Sequence, residues 1–167
     1  IWVADQTGYP IVITPRNQNG KAPWAVTQRI TFQYNLVRHA AGGVNILGTD
    51  DLAPSQRTNH VTVRHNVFDD LPAASWGAGS RPIMIGDGPD VVTVDHNTII
   101  STDPHAVWLY GGSAPAPVPV TNAAITNNLA AHNSYGIGGS NYGFGLTAIN
   151  AYLAGGVVSR SDPRPRA

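Results

Sequence analysis

The chain has 167 residues, a formal net charge of zero, 12% charged residues against the usual ~25%, no Cys, one Lys (Lys21) and acidic residues that are all Asp. Its basic residues are scattered, which removes the footprint of a nucleic-acid binder, and no apolar run approaches the ~20 residues that cross a bilayer, so neither nucleic acid nor membrane is an expected partner. Zero Cys excludes a disulfide framework, while scarce Glu and Lys beside abundant Val, Thr, Asn and Gly predict short strands and tight turns rather than helices.

The elements in chain order form a repeat. After IWVADQTGYP, expected to cover the first coil with Trp2, comes a strand PIVIT from Pro10 and then an alternating segment ITFQYN from Ile30. The same pair recurs as GVNILG from Gly43 with VTVRHN from Val61, PIMIGD from Pro82 with VTVDHN from Val92, and AVWLYG from Ala106 with AAITNN from Ala123. Each alternating segment ends in Asn, and Asn35, Asn66, Asn97 and Asn128 lie 31 residues apart. A short apolar pair follows each Asn, such as Leu36 and Val37 or Val67 and Phe68, so every unit carries three short strands. YGIGG from Tyr135 opens a further unit, and Leu146 to Val158 reads as a last irregular coil with no amphipathic capping helix. A constant period in this range means stacked supersecondary units, here an all-β, single-stranded parallel β-helix of about five coils. The expected domain spans residues 1–158, as a piece of a longer β-helix or a unit that self-associates end to end, with 159–167 a mobile tail.

Alternation assigns the side chains. Ile30, Phe32, Val61, Val63, Val92, Val94 and Ile125 are expected inward, with Arg64 and Asp95 outward as cross-strand neighbours. The Asn amide is expected to bond backbone at the bend, where Asn tolerates the left-handed conformation that such turns often need. His65 and His96 share one repeat position, which parity places inward or in the turn as buried, hydrogen-bonded imidazoles rather than metal ligands.

The VTVxHN and AVWLYGG patterns resemble the right-handed parallel β-helix repeats of the pectin-lyase-like superfamily, which place an Asn ladder after the second strand of each coil. NQNGKAPW and RHAAGGVNILGTDDLAPSQ are similar to secreted bacterial proteins of that superfamily that have no assigned activity. The resemblance covers roughly residues 10 to 140 and implies a right-handed β-helix at a secreted, periplasmic or cell-surface location. It also implies that a polysaccharide would lie along the outer face of the first strand of each coil. The chain departs from the family's catalytic patterns: it has neither the polygalacturonase-type Asn-Thr-Asp, Asp-Asp and Arg-Ile-Lys set nor the pectate-lyase-type Arg-x-Pro-x-x-Arg.

On that face Asn45, Leu47, Met84, Gly86, Trp108 and Tyr110 are expected outward. Trp108 and Tyr110 are costly to leave in water, so either sugar rings stack on them or the loop GSAPAPVPV after Gly112 folds over them. Arg38, His39, Arg81, Asp103 and His105 precede the strands, while Asp50, Asp51, Asp87 and Asp90 follow them. Asn45, Arg38 and His39 join Trp108 and Tyr110 as candidate substrate contacts. A lyase would use His105 or Arg81 as base, with Ca²⁺ held by Asp50, Asp51 and Asp87. A hydrolase would use Asp51 and Asp87, one coil apart, as its carboxylate pair. The expected function is polysaccharide binding with lyase-like cleavage open, and the alternative is a non-catalytic assembly module making protein contacts through its faces and ends.

Overall fold

A computed structural model describes residues 8–72, 81–100, 104–113, 115–131 and 133–159. Trp2, Asp103 and the tail beyond Ser159 lie outside the described residues. The chain winds as a parallel β-solenoid. Its first turn is β1 (Ile11–Ile13), β2 (Gln28–Gln33) and β3 (Leu36–Arg38), and its second is β4 (Val44–Leu47), β5 (Asn59–Arg64) and β6 (Val67–Asp69). The third is β7 (Ile83–Gly86), β8 (Asp90–Asp95) and β9 (Thr98–Ile100). The fourth is β10 (His105–Tyr110), a small hairpin of β11 (Gly112–Ser113) and β12 (Ala116–Pro117), then β13 (Ala124–Thr126) and β14 (Leu129–Ala130). Beyond it, β15 (Gly136–Gly139) and β17 (Val157–Val158) extend the first and second sheets, with no described strand on β14. The solenoid therefore has about four turns, not the five expected. Where the fifth is incomplete, an apolar cavity of ≈ 340 Å³ opens between Ile137 and Val158.

Corresponding strands pair in parallel and in register, Ile30 on Val61 on Val92 and Val44 on Ile83 on Val107. Val61, Val63, Val92, Val94, Val44, Ile46, Ile83, Ile85 and Leu109 fill the lumen and are essentially inaccessible. This burial is the main favourable contribution, at roughly 25 cal/mol per Å² of apolar surface. Ile30 is 36% exposed because no described strand stacks on β2 from below.

The Asn ladder is continuous. Each Oδ1 accepts from the backbone N–H and the Nδ2 group of the Asn one turn earlier, at 3.0 and 3.1 Å for Asn66 and 3.1 and 3.0 Å for Asn97. Each Nδ2 from Asn66 onward donates at 2.9 Å to a strand carbonyl of the preceding turn, those of Phe32, Val63 and Val94. Contrary to the sequence expectation, the left-handed residue is the one before each Asn: Tyr34, His65, His96 and Asn127 have φ of 58°, 52°, 50° and 53°. That residue breaks the alternation, so the Asn turns in and its predecessor turns out. His65 and His96 are therefore exposed, not buried.

Two further expectations change. Arg64 and Asp95 are register partners, yet Arg64 donates to Gln33 at 2.8 Å while Asp95 accepts from Thr126 at 2.6 Å, Asn127 at 2.9 Å and the His96 ring at 2.6 Å. Leu146 to Tyr152 form a helix, α1, that buries Ala148 and Tyr152, and the Tyr152 hydroxyl donates to the carbonyl of Ser140 at 2.8 Å. With β16 (Gly143–Phe144), which runs antiparallel on β15, α1 covers one end of the stack.

Asp95 ties acid stability to this ladder. Burial alone would raise its pKa, but the bonds from Thr126, His96 and Asn127 overcome that and hold it at about 2, below the unfolded 3.8. A depressed carboxylate pKa stabilises above the unfolded value, and the contribution is lost as pH falls toward the folded one. Asp95→Ala should lose on the order of 1 kcal/mol at pH 7, discounted for solvent screening, and the gap to wild type should close between pH 4 and 2 in urea melts.

Candidate carbohydrate-binding face

The outward row of the first sheet runs Val12, Asn45, Met84, Trp108 and Gly138 across five register-paired strands. Two glycines shape it. A Cβ at Gly138 would fall 2.7 Å from the Trp108 ring and one at Gly86 would fall 2.1 Å from the Tyr110 ring, so each aromatic lies flat across a glycine of the adjacent strand. Tyr110 spans β7 to donate to Asn45 Oδ1 on β4 at 3.1 Å. Burial pushes the Tyr110 phenol well above its ordinary range, with Asp87 and Asp51 adding to the shift, so it stays a neutral donor. The loop after Gly112 forms its own hairpin and packs Val118 against Gly88.

At the other end of the row, the Arg81 guanidinium sits 4.2 Å above the Trp108 ring centroid, with Nη1 3.8 Å from Met84 Sδ. His105 meets Trp108 edge-on at 4.7 Å and stacks at 5.2 Å on Tyr135, which in turn lies 3.8 Å from Phe144. Tyr9 reaches in from before β1 and donates to Met84 Sδ at 2.6 Å. Arg81, Trp108, His105, Tyr110 and Asn45 thus form one surface, extended by Tyr9, Tyr135 and Phe144, which sequence reasoning missed. The signal for Phe144 was GSNYG from Gly139, a hairpin turn that folds it back over β15. Tyr135 stands just before its strand as Pro104 does in the preceding turn, and its N–H donates to the Pro104 carbonyl at 3.0 Å.

The carboxylates divide. Asp87 occupies a left-handed corner just after β7, φ 52°, and its N–H donates to the Tyr110 carbonyl at 3.1 Å. Desolvation, then the charge of Asp51, raise its pKa, while Asp51 itself faces Arg16, its Oδ1 3.6 Å from Nη1. Asp50 is committed elsewhere. Its carboxylate accepts the N–H groups of Asn17 at 2.7 Å, Leu52 at 2.8 Å and Ala53 at 3.3 Å, with Arg16 at 3.6 Å. Those bonds from Leu52 and Asn17 lower its pKa and make it the organiser of a cleft lined by Arg16 to Gly20. Arg38 and His39 belong to the third sheet, where they pair with Asp69 at 3.8 Å and Asp70 at 2.5 Å one turn on. Among the described residues no group of three or more His, Asp or other ligating side chains could hold a metal ion.

No family model, curated protein or solved structure matches the chain. What is established is a parallel β-solenoid carrying this aromatic face.

Proposed function

We propose that the protein binds an anionic polysaccharide along the outward face of the first sheet, as a secreted or cell-surface solenoid related to the pectin-lyase-like proteins. The observation that carries this is Arg81 fixed over Trp108, in line with His105, Tyr135 and Phe144. Tyr135 and Phe144 remain 40% and 45% exposed, so the part of each ring outside their mutual stack is open to the apolar face of a sugar. The guanidinium supplies a positioned partner for a carboxylate or sulfate, which it grips more specifically than an ammonium would. The neighbouring strand spacing of about 4.8 Å repeats contacts along the solenoid axis, which suits a polymer rather than a compact ligand. Any cleavage would draw on His105 and the Asp51 and Asp87 pair. Ca²⁺ in that reading would be held by Asp87 together with Asp51, which would exchange its Arg16 contact at 3.6 Å for the ion, since the Asp50 carboxylate is occupied by backbone donors.

Calorimetric titration with polygalacturonate, alginate and neutral dextran tests the reading, with reducing ends and unsaturated products followed in parallel. Binding to an anionic chain should weaken with salt, and Trp108→Ala and Arg81→Ala should each cost at least about tenfold, or ~1.4 kcal/mol. Unchanged affinity in both variants, or no binding to any glycan, would remove the proposal. A second reading, assembly through protein contacts, is favoured by the exposed Val12, Trp24, Val26 and Leu36 around the first turn. Light scattering separates the two, since only assembly requires a mass above one chain.

A further inference from the structure

The corner after the second strand of each turn presents a column of rings on the outside of the solenoid, away from the first sheet. Tyr34 and His65 stack at 5.2 Å with an interplanar angle of 6°, and His65 and His96 follow at 5.1 Å and 34°. All three side chains are exposed. The left-handed backbone at each corner points them out, and the buried Asn66 to Asn97 bonds at 3.0 and 3.1 Å fix the spacing between the two histidines.

His96 is also oriented. Its Nδ1 lies 2.6 Å from an Asp95 carboxylate oxygen, and Asp95 is itself held by Thr126 and Asn127. A carboxylate only accepts, so Nδ1 of the neutral ring carries the proton and Nε2 keeps the lone pair. This is the outer-shell arrangement that raises the basicity of a metal-ligating imidazole and fixes its tautomer.

We propose that His65 and His96 together chelate one borderline divalent cation, Cu²⁺ ahead of Ni²⁺ and Zn²⁺, with water completing the shell. The ring spacing fits. With a metal–nitrogen bond of about 2.0 to 2.1 Å, each ring centroid stands ~3.1 Å from the metal, so two rings are separated by ~4.4 Å at the right angle that Cu²⁺ and Ni²⁺ favour and by ~5 Å at the tetrahedral angle of Zn²⁺; starting from 5.1 Å, rotation of the two exposed rings brings the metal into the plane of both. Imidazole donors suit this group of metals, and affinity within it peaks at Cu²⁺. Because the corners are already set by the Asn ladder, binding orders only two side-chain torsions per ligand, so little affinity is lost to organising the site. Tyr34 walls one side of the pair.

The test is titration of the tag-free, chelator-stripped protein with CuCl₂ and, separately, with ZnCl₂. One Cu²⁺ should bind per chain, His65→Ala and His96→Ala should each weaken it at least tenfold, and His60→Ala should not. His60 is an exposed histidine at another corner, with its Nδ1 on Asn59, and serves as the control. Electron paramagnetic resonance should show two imidazole nitrogens on Cu²⁺ in the wild type and one in either variant. Zn²⁺ should raise the melting temperature of the wild type and leave that of the double variant unmoved. Equal affinity in the wild type and both variants, dependence on His60, or a Cu²⁺ spectrum without imidazole nitrogen would overturn the site.

Discussion

Asn97→Ala should lose about 3 to 5 kcal/mol in urea unfolding, while Asn35→Ala, the same substitution two turns earlier, should lose about 1 kcal/mol or less. Asn97 is 1% exposed and sits inside the ladder. Its Oδ1 accepts from the Asn66 N–H and Nδ2, and its own Nδ2 donates to the carbonyls of Val63 at 2.9 Å and Asp95 at 3.2 Å and to Asn128 Oδ1 at 2.9 Å. Truncation leaves the buried Asn66 N–H without its Oδ1 acceptor, at about 1 to 3 kcal/mol, and removes the Nδ2 bonds to the Val63 carbonyl and to Asn128, at about 1 kcal/mol each. Asn35 is exposed, and its Nδ2 bonds to Gln33 and Asn66 have solvent as an alternative. Because neighbouring turns stabilise one another, the Asn97 variant should also broaden the transition and lower its m-value. Equal losses at the two positions would mean that lumen packing, not the ladder, sets the turns.

Gly48→Ala is expected to cost about 3 kcal/mol, against near-neutrality for Gly8→Ala, whose Cβ would meet nothing within 4 Å. A Cβ at Gly48 would stand 1.9 Å from the Asp87 carbonyl oxygen and 2.5 Å from Pro89 N. These are backbone atoms of the next turn, so no rotamer change relieves the collision. Gly48 cannot retreat either, since its N–H donates to the Gly86 carbonyl at 2.8 Å and its carbonyl accepts from Thr58 at 2.7 Å. The two turns must separate at the Asp87 corner, which disturbs the Asp87 N–H bond to Tyr110 and the Tyr110 bond to Asn45. Thermal unfolding gives the stability loss, and glycan titration of the folded fraction should show weakened binding. A variant with wild-type stability would show that the turns are less tightly seated than this contact requires.

The 31-residue spacing of Asn in the sequence carries most of the architecture, because every turn solves the same bend with the same buried amide. Parity then identifies Val61, Val63, Val92 and Val94 as lumen residues and Trp108 as outward, since period-two alternation holds along each strand. It fails at the corner. A left-handed residue there shifts the phase by one, which is why His65 and His96 are exposed at the turn, whereas alternation places them inward or in the turn as buried imidazoles. The helix α1 was hidden for another reason: LTAINAY has no side-chain N-cap and is only seven residues long, so packing of Ala148 and Tyr152 rather than local propensity forms it. The composition of the outward face is legible in part. Trp108, Tyr110, Asn45, Arg81 and His105 were named from strand position, whereas Tyr9 and Phe144 come from irregular segments that no repeat indexes. Asp50, Arg38 and His39 were grouped with the face by sequence proximity to its strands, but their bonds tie them to Asn17, Asp69 and Asp70.

The most direct test of the proposed glycan binding on the first-sheet face is a nitrogen–proton correlation titration with a polygalacturonate oligomer, following the indole N–H signals. A saturable shift of the Trp108 signal is expected, abolished by Arg81→Ala, with Trp24, 72% exposed before β2, unmoved. A shift of Trp24 with Trp108 silent, or no shift of either at saturating oligomer, would contradict it.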